Sequence, residues 1–118
     1  MGVWMSSRYQ KFFQEIKEGR TAILDSGVST ELERRGAPMR DTHWSGRVSI
    51  DAFDTLVNTH KAYIDAGANV ITVNSYASSR LVLGNSINES LIEKINKKNI
   101  EAALEARIQT GANEVLIA

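Results

Sequence analysis

The run Asp25-Ser26-Gly27-Val28-Ser29-Thr30 follows a short apolar stretch, Thr21-Ala22-Ile23-Leu24. It offers a carboxylate, a flexible glycine and several backbone N–H groups just ahead of a helical pattern. A carboxylate so placed can hold an ammonium group, and N–H groups at a helix start can hold a carboxylate. An amino acid carries both groups and is a natural ligand for such a loop. The plainer reading is a turn whose Asp25 accepts from local amides. A second polar loop, Asn74-Ser75-Tyr76, closes the apolar run Val70-Ile71-Thr72-Val73. A polar residue ending a buried strand needs a partner, and Tyr76 adds a ring and a hydroxyl. A strand-end amide that caps the next turn is the alternative.

Other chemistry-bearing residues carry less. Trp44 sits among polar residues and either closes over a ligand or packs back on the core. His60 falls on the apolar stripe of a helix, which favours a hydrogen-bonded core histidine over a ligand. Asp41 and His43 are too loosely spaced for a metal site. The run Glu31-Leu32-Glu33-Arg34-Arg35 reads as a solvated helix face. No Gly-x-Gly-x-x-Gly, P-loop or Gly-x-Ser-x-Gly motif is present.

The elements that must position these loops follow from pattern. Ser6 or Ser7 can cap a first helix with Tyr9, Phe12, Phe13 and Ile16 on one face, closed by Gly19. Residues 21–24 make a first strand. Thr30 caps a short helix over 31–35, closed by Gly36. Residues 37–50, with Pro38, read as an irregular binding loop or lid. Asp51 starts a longer helix with Phe53, Leu56, Val57, His60, Tyr63 and Ile64 along one stripe, stopped by Gly67. Residues 70–74 form a strand covered on both faces. Ser79 to Leu83 makes one turn. Asn88 caps a helix to Thr110, with Leu91, Ile92, Ile95, Ala103, Leu104 and Ile108 inward and residues 96–99 as its solvated middle. Residues 114–118 form the last strand. The triplet Gly67-Ala68-Asn69 recurs as Gly111-Ala112-Asn113, each before an apolar run. Repeated helix-to-strand turns predict an α/β fold with parallel strands and right-handed crossovers. Ligands of such sheets bind at the carboxyl ends of the strands.

Composition bounds the function. The chain has 14 basic and 14 acidic residues and a formal net charge of zero. That balance argues against a nucleic-acid surface, which needs a concentrated basic face. There is no cysteine, so disulfides and thiolate metal sites are excluded within the chain. No apolar run reaches the roughly 20 residues that span a bilayer, and no secretory pattern opens the chain. A cytoplasmic location without membrane contact is expected. Met1-Gly2-Val3-Trp4-Met5-Ser6 fits a short myristoylation pattern. No polybasic patch follows, and a chance match or a start at Met5 is the simpler reading.

Taken together, the segments resemble the opening of the homocysteine S-methyltransferase family. The family begins with a strand and Asp-Gly-Gly-x-x-Thr-x-Leu-Glu-x-x-Gly. Here Asp25, Gly27, Thr30, Leu32, Glu33 and Gly36 fit, with Ser26 where glycine is usual. A Trp-Ser pair follows, here Trp44-Ser45. Then come His-x-x-Tyr-x-x-Ala-Gly-Ala and Val-Ile-Thr-x-Asn-Ser-Tyr, matched by His60, Tyr63, Ala66-Gly67-Ala68 and residues 70–76. The likeness runs from about Thr21 to the end.

The resemblance implies a (β/α)8 barrel, which takes about 250 residues. On that reading residues 1–118 are its N-terminal part, the first three βα units of an incomplete barrel. It also implies a reaction in which a small methyl donor methylates the zinc-bound thiolate of homocysteine, giving methionine. The donor is left open: S-methylmethionine, S-adenosylmethionine, betaine and folate-bound methyl all fit. The family's zinc is held by three cysteines on later strands, so this chain is expected to hold none. By position, Asp25 and the amides of Ser26, Gly27 and Val28 hold the amino-acid end of homocysteine. Asn74 and Tyr76 lie near the thiolate and donor, and Trp44 lines the pocket. The chain alone is expected to be inactive and to self-associate through the apolar edge of its last strand. The alternatives are a non-catalytic fragment or interaction piece, and an unrelated small α/β domain with convergent loops.

Overall fold

A computed structural model of the protein describes residues 7–39, 44–84 and 89–118. The readings of residues 1–6, of Asp41 and His43, and of the Asn88 cap lie outside the described residues. In chain order the elements are α1 (Arg8–Lys17), α2 (Val28–Arg34), α3 (Trp44–Asp51), α4 (Phe53–Asp65), β1 (Val70–Ile71), α5 (Arg80–Leu83), α6 (Glu89–Thr110) and β2 (Leu116–Ile117).

Ser7 caps α1 through a reciprocal pair. Its hydroxyl accepts from the Gln10 N–H at 3.1 Å, and the Gln10 side chain accepts from the Ser7 N–H at 2.8 Å. The chain is α/β with parallel pairing, as its pattern predicts. β1 and β2 pair in parallel with Val70 opposite Leu116 and Ile71 opposite Ile117. The first apolar run joins them through one parallel bridge, Leu24 to Val70.

All three strands expected from sequence are shorter in the structure, and for the first two side chains take part of the pairing. The Ile23 N–H donates to the side-chain oxygen of Asn69 at 3.0 Å, where a ladder carbonyl would otherwise serve. The Thr72 N–H turns to the Asp25 carboxylate at 2.8 Å, so pairing with the first apolar run stops after Val70, while on the other side the Val73 N–H still bonds the Ala118 carbonyl at 2.8 Å.

Two helices also differ. α2 begins at Val28 rather than Glu31, because the Gly27 carbonyl already accepts from the Glu31 N–H at 3.1 Å. Thr30 is therefore not its cap. The stretch expected to be irregular contains α3, and Asp51 ends that helix instead of starting the next. Ala52, with φ −151° and ψ 58°, breaks the chain before α4. α3 was masked by Gly46, which is unfavourable in a helix by about 1 kcal/mol. The glycine answers to packing: a Cβ there would lie 2.1 Å from the Ala77 carbonyl oxygen.

The core holds Leu32, Leu56, Val57, Ile71, Ala102 and Ala103, among others. α4 packs on α6, and α4 also touches α2, α3 and β1. Three alanines on α6 (Ala102, Ala103, Ala106) are buried and leave room for the helices to approach. Ile71 faces this core. Val70, the next residue back, faces a cleft lined by α1, as strand alternation requires.

The inward face of α6 holds Ile95 and Ala103, both buried, with Leu91 and Ile92 half-buried, as expected. Leu104 and Ile108 differ and are exposed, Ile108 at 70%, while Asn99 is fully buried and Asn96 half-buried. The middle of the helix is continuous, yet its two asparagines point inward.

Candidate functional site at the carboxyl ends of the strands

Asp25 follows the bridge residue Leu24, and Thr72 follows β1. They leave the carboxyl ends of neighbouring parallel segments, so their side chains meet. Asp25 Oδ2 accepts from the Thr72 N–H at 2.8 Å, and Oδ1 accepts from the Thr72 hydroxyl at 2.9 Å. A carboxylate has about four acceptor positions, so this half-buried group keeps capacity for another donor.

The loop continues through Ser26 and Gly27, both exposed, to half-buried Val28 at the first turn of α2. No side chain caps that helix at Gly27. The Tyr63 hydroxyl, from α4, donates to the Gly27 carbonyl at 3.3 Å and ties the loop to the core helix. Burial, then the negative charges of Glu31 and Asp25, raise the Tyr63 phenol above its ordinary range. It therefore stays a proton donor at neutral pH. Behind it, Glu31 accepts from Arg34 at 2.6 and 2.8 Å and from Arg35 at 2.8 Å. Those bonds hold its carboxyl down to about 2.

The second loop leaves β1 at the same end. The Asn74 side-chain amide donates to the Ser45 carbonyl of α3 at 2.7 Å. Asn74 is 8% exposed, so its polar group is partnered as a buried one must be. Ser45 follows Trp44, which opens α3; the Trp44 side chain lies outside the described residues. Tyr76 is 91% exposed. The structure thus gathers Asp25, Ser26, Gly27 and Val28 in one loop and ties Asn74 to the helix of Trp44. It leaves the Tyr76 ring in solvent.

His60 lies in the core, 0% exposed, as its stripe requires. The expected hydrogen bond is not found: neither ring nitrogen has a partner among the described residues. Burial lowers its pKa to about 4, with the Asp25 charge pulling the other way.

Four contributors escape a reading of the sequence: Thr72, Ser78, Asn96 and Asn99. Thr72 hides in an apolar run, where a hydroxyl next to a loop carboxylate was the available signal. Asn96 and Asn99 share one helix face with Ile92 and Ile95, and that spacing was theirs.

The residues present do not fit a zinc site. The chain has no cysteine, and among the described residues no group of three or more His, Asp or Glu is placed to hold a metal ion. Among the same residues no helix is long and apolar enough to cross a membrane.

Comparison with known proteins agrees with this arrangement. Residues 22–118 match the sequence profile of the homocysteine S-methyltransferase family. A selenocysteine Se-methyltransferase of Brassica oleracea var. italica is 38% identical over 96 residues, covering 78% of this chain and 27% of the relative. Homocysteine S-methyltransferase 1 of Arabidopsis thaliana is 36% identical over 94 residues, covering 77% of this chain and 28% of the relative. The chain thus spans little more than a quarter of the relatives it matches. The crystal structure of the homocysteine methyltransferase MmuM from Escherichia coli, in its metallated form, superposes with a TM-score of 0.74 at 25% identity. That match covers 90% of this chain and 39% of the other. On the profile match over most of its length, this chain belongs to the homocysteine S-methyltransferase family.

Proposed function

We propose that this chain forms the amino-acid-binding part of a homocysteine S-methyltransferase domain. The observation that carries the proposal is Asp25, held at the carboxyl end of the sheet by Thr72 with acceptor capacity to spare. Its carboxylate receives the ammonium of homocysteine. The amides of Ser26, Gly27 and Val28 receive the carboxylate. The ligand's sulfur then lies toward Asn74, Tyr76 and Trp44, where the methyl group of a small donor is delivered. The parallel order Leu24, β1, β2 supports reading these units as the first three of a (β/α)8 barrel. The zinc that the family implies does not fit these residues, and their part is to bind and orient the amino acid.

The test is calorimetric titration of L-homocysteine into the chain and into its Asp25→Asn variant. Losing a charged hydrogen bond costs about 1.5–3 kcal/mol, so the dissociation constant is expected to rise roughly 10- to 100-fold. An equal constant in the variant, or no binding to the unaltered chain, overturns the role.

A second reading, an interaction piece, is favoured by one feature. Tyr9, Phe12 and Phe13 of α1 and Leu24, Val70 and Leu116 of the sheet line an apolar cleft of about 460 Å³. Apolar clefts beside strand edges invite pairing with another chain, and the zero net charge offers no repulsion. Light scattering after size exclusion tests self-association. A monodisperse monomer removes this reading.

A further inference from the structure

The turn from Asn74 to Ser78 is fastened on two sides. On the α3 side, Asn74 donates to the Ser45 carbonyl at 2.7 Å. The absent side chain of Gly46 lets the Ala77 carbonyl come close. On the α6 side, the Ser78 hydroxyl meets two helix side chains. It donates to Asn96 Oδ1 at 2.7 Å and accepts from the Asn99 amide at 3.1 Å. The Asn96 amide also donates to the Ser78 carbonyl at 3.3 Å and to the Ile92 carbonyl at 3.0 Å. Ser78 and Asn99 are fully buried, so water does not compete for the bond between them, and half-buried Asn96 flanks it.

Between the two anchors stands Tyr76, 91% exposed. A surface turn needs no such support for stability, and apolar residues at positions 78 and 99 would serve the core at least as well. A buried polar network specifies position more than it adds stability.

We infer that Ser78 is a positioning residue for the amino-acid site. Through Asn96 and Asn99 it fixes the turn that carries Asn74 and Tyr76, the turn read above as facing the ligand's sulfur. The inference rests on the amino-acid-binding reading for its ligand and on the hydrogen-bond geometry for the turn.

Two measurements on the 118-residue chain separate these. The first is amide hydrogen exchange by NMR in the unaltered chain, Ser78→Ala, Asn96→Ala and the double variant. Exchange at residue 78, whose N–H bonds the Ser75 carbonyl at 3.3 Å, is expected to quicken about tenfold in each single variant. Both substitutions break the bond between the Ser78 hydroxyl and Asn96, and each also removes one bond the other keeps. The double variant is therefore expected to exchange faster than either single one but by less than the product of the two effects. Amides of Leu56 and Ala103 keep their protection. Unchanged exchange at residue 78 in Ser78→Ala, or an equal loss at Leu56 and Ala103, overturns the inference.

The second is L-homocysteine affinity, expected to fall about tenfold in both single variants. Affinity equal to that of the unaltered chain in Ser78→Ala overturns the positioning role even if the turn loosens. If the unaltered chain binds no homocysteine, the ligand reading and the positioning role fall together. The exchange data still decide whether Ser78 holds the turn.

Discussion

Thr72 holds the Asp25 carboxylate with both of its donors, the N–H on one oxygen and the hydroxyl on the other. A two-point hold fixes the plane of the carboxylate, which one bond cannot do. It also uses the N–H that would have extended the pairing with the first apolar run beyond the Leu24–Val70 bridge, so the end of that pairing and the hold on Asp25 are set by one contact.

Thr72→Val keeps the shape and the N–H but removes the hydroxyl. The pair is partly solvated, so a loss of about 1 kcal/mol in urea unfolding is expected. L-homocysteine binding is expected to weaken with it. Thr72→Ser, which retains the hydroxyl, is expected to restore both. A valine variant as stable as the unaltered chain, with equal affinity, refutes the two-point hold.

His60 makes stability depend on pH. Its folded pKa of about 4 lies below the ordinary 6.5, chiefly because it is buried. Between those values the unfolded chain takes up a proton that the folded chain refuses. Stability is therefore full above pH 6.5 and falls as the pH drops toward 4. From pH 7 to pH 5 the expected loss is about 2 kcal/mol. His60→Leu is expected to lose that slope. Urea midpoints for both proteins at the two pH values are the check, and parallel slopes exclude the mechanism.

Glu31 titrates with the opposite chemistry. Its carboxyl is held down to about 2 by hydrogen bonds from Arg34 and then Arg35. Its contribution to α2 is present above the ordinary carboxylate pKa and is lost as the pH falls through about 2. A ¹³C titration of the Glu31 carboxyl reads this directly. Arg34→Ala and Arg35→Ala are each expected to raise the midpoint. A midpoint near 4.5 in the unaltered chain contradicts the fork.

Gly46→Ala tests the packing of α3. The new methyl would meet the Ala77 carbonyl at 2.1 Å and Leu83 Cδ2 at 3.2 Å, so backbone has to move. Overpacking of this kind costs about 1–3 kcal/mol, although alanine is the better helix former. The Asn74–Ser45 bond is expected to lengthen with the shift. A variant that melts at or above the original temperature rules out the close approach.

The parts of the fold legible in the sequence are the local ones. Ser7 and Gln10 cap α1 within one turn, and the stripe Leu56, Val57, His60, Ile64 is a helical period that tertiary structure leaves intact. The strands were overextended because their ladder partners are side chains distant in sequence, Asn69 for Ile23 and Asp25 for Thr72. α3 is not legible because a helix-interior glycine reads as a break until the Ala77 carbonyl opposite it is known. On α6 the stripe Leu91, Ile92, Ile95 and Ala103 is legible, but the inward turn of Asn96 and Asn99 in place of apolar Leu104 and Ile108 is not, because it is Ser78 that supplies the asparagines with partners. Of the site, the Asp25 loop could be read from its residue types. Its supports could not, since each comes from another element.

The pairing that carries Asp25 has a bearing on how the chain folds. Asp25 and Thr72 lie 47 residues apart, with α2, α3 and α4 between them. Closing so long a segment costs entropy before any contact repays it, and the cost grows with the logarithm of its length. Helices form locally within about a microsecond, whereas a parallel pairing waits for the intervening chain to be in place. On the ribosome the Asp25 loop emerges well before Val70 and Thr72 are made, and it has no partner until then. The Asp25 loop is therefore among the last parts of this unit to take shape, and its order reports that the crossover behind it is complete.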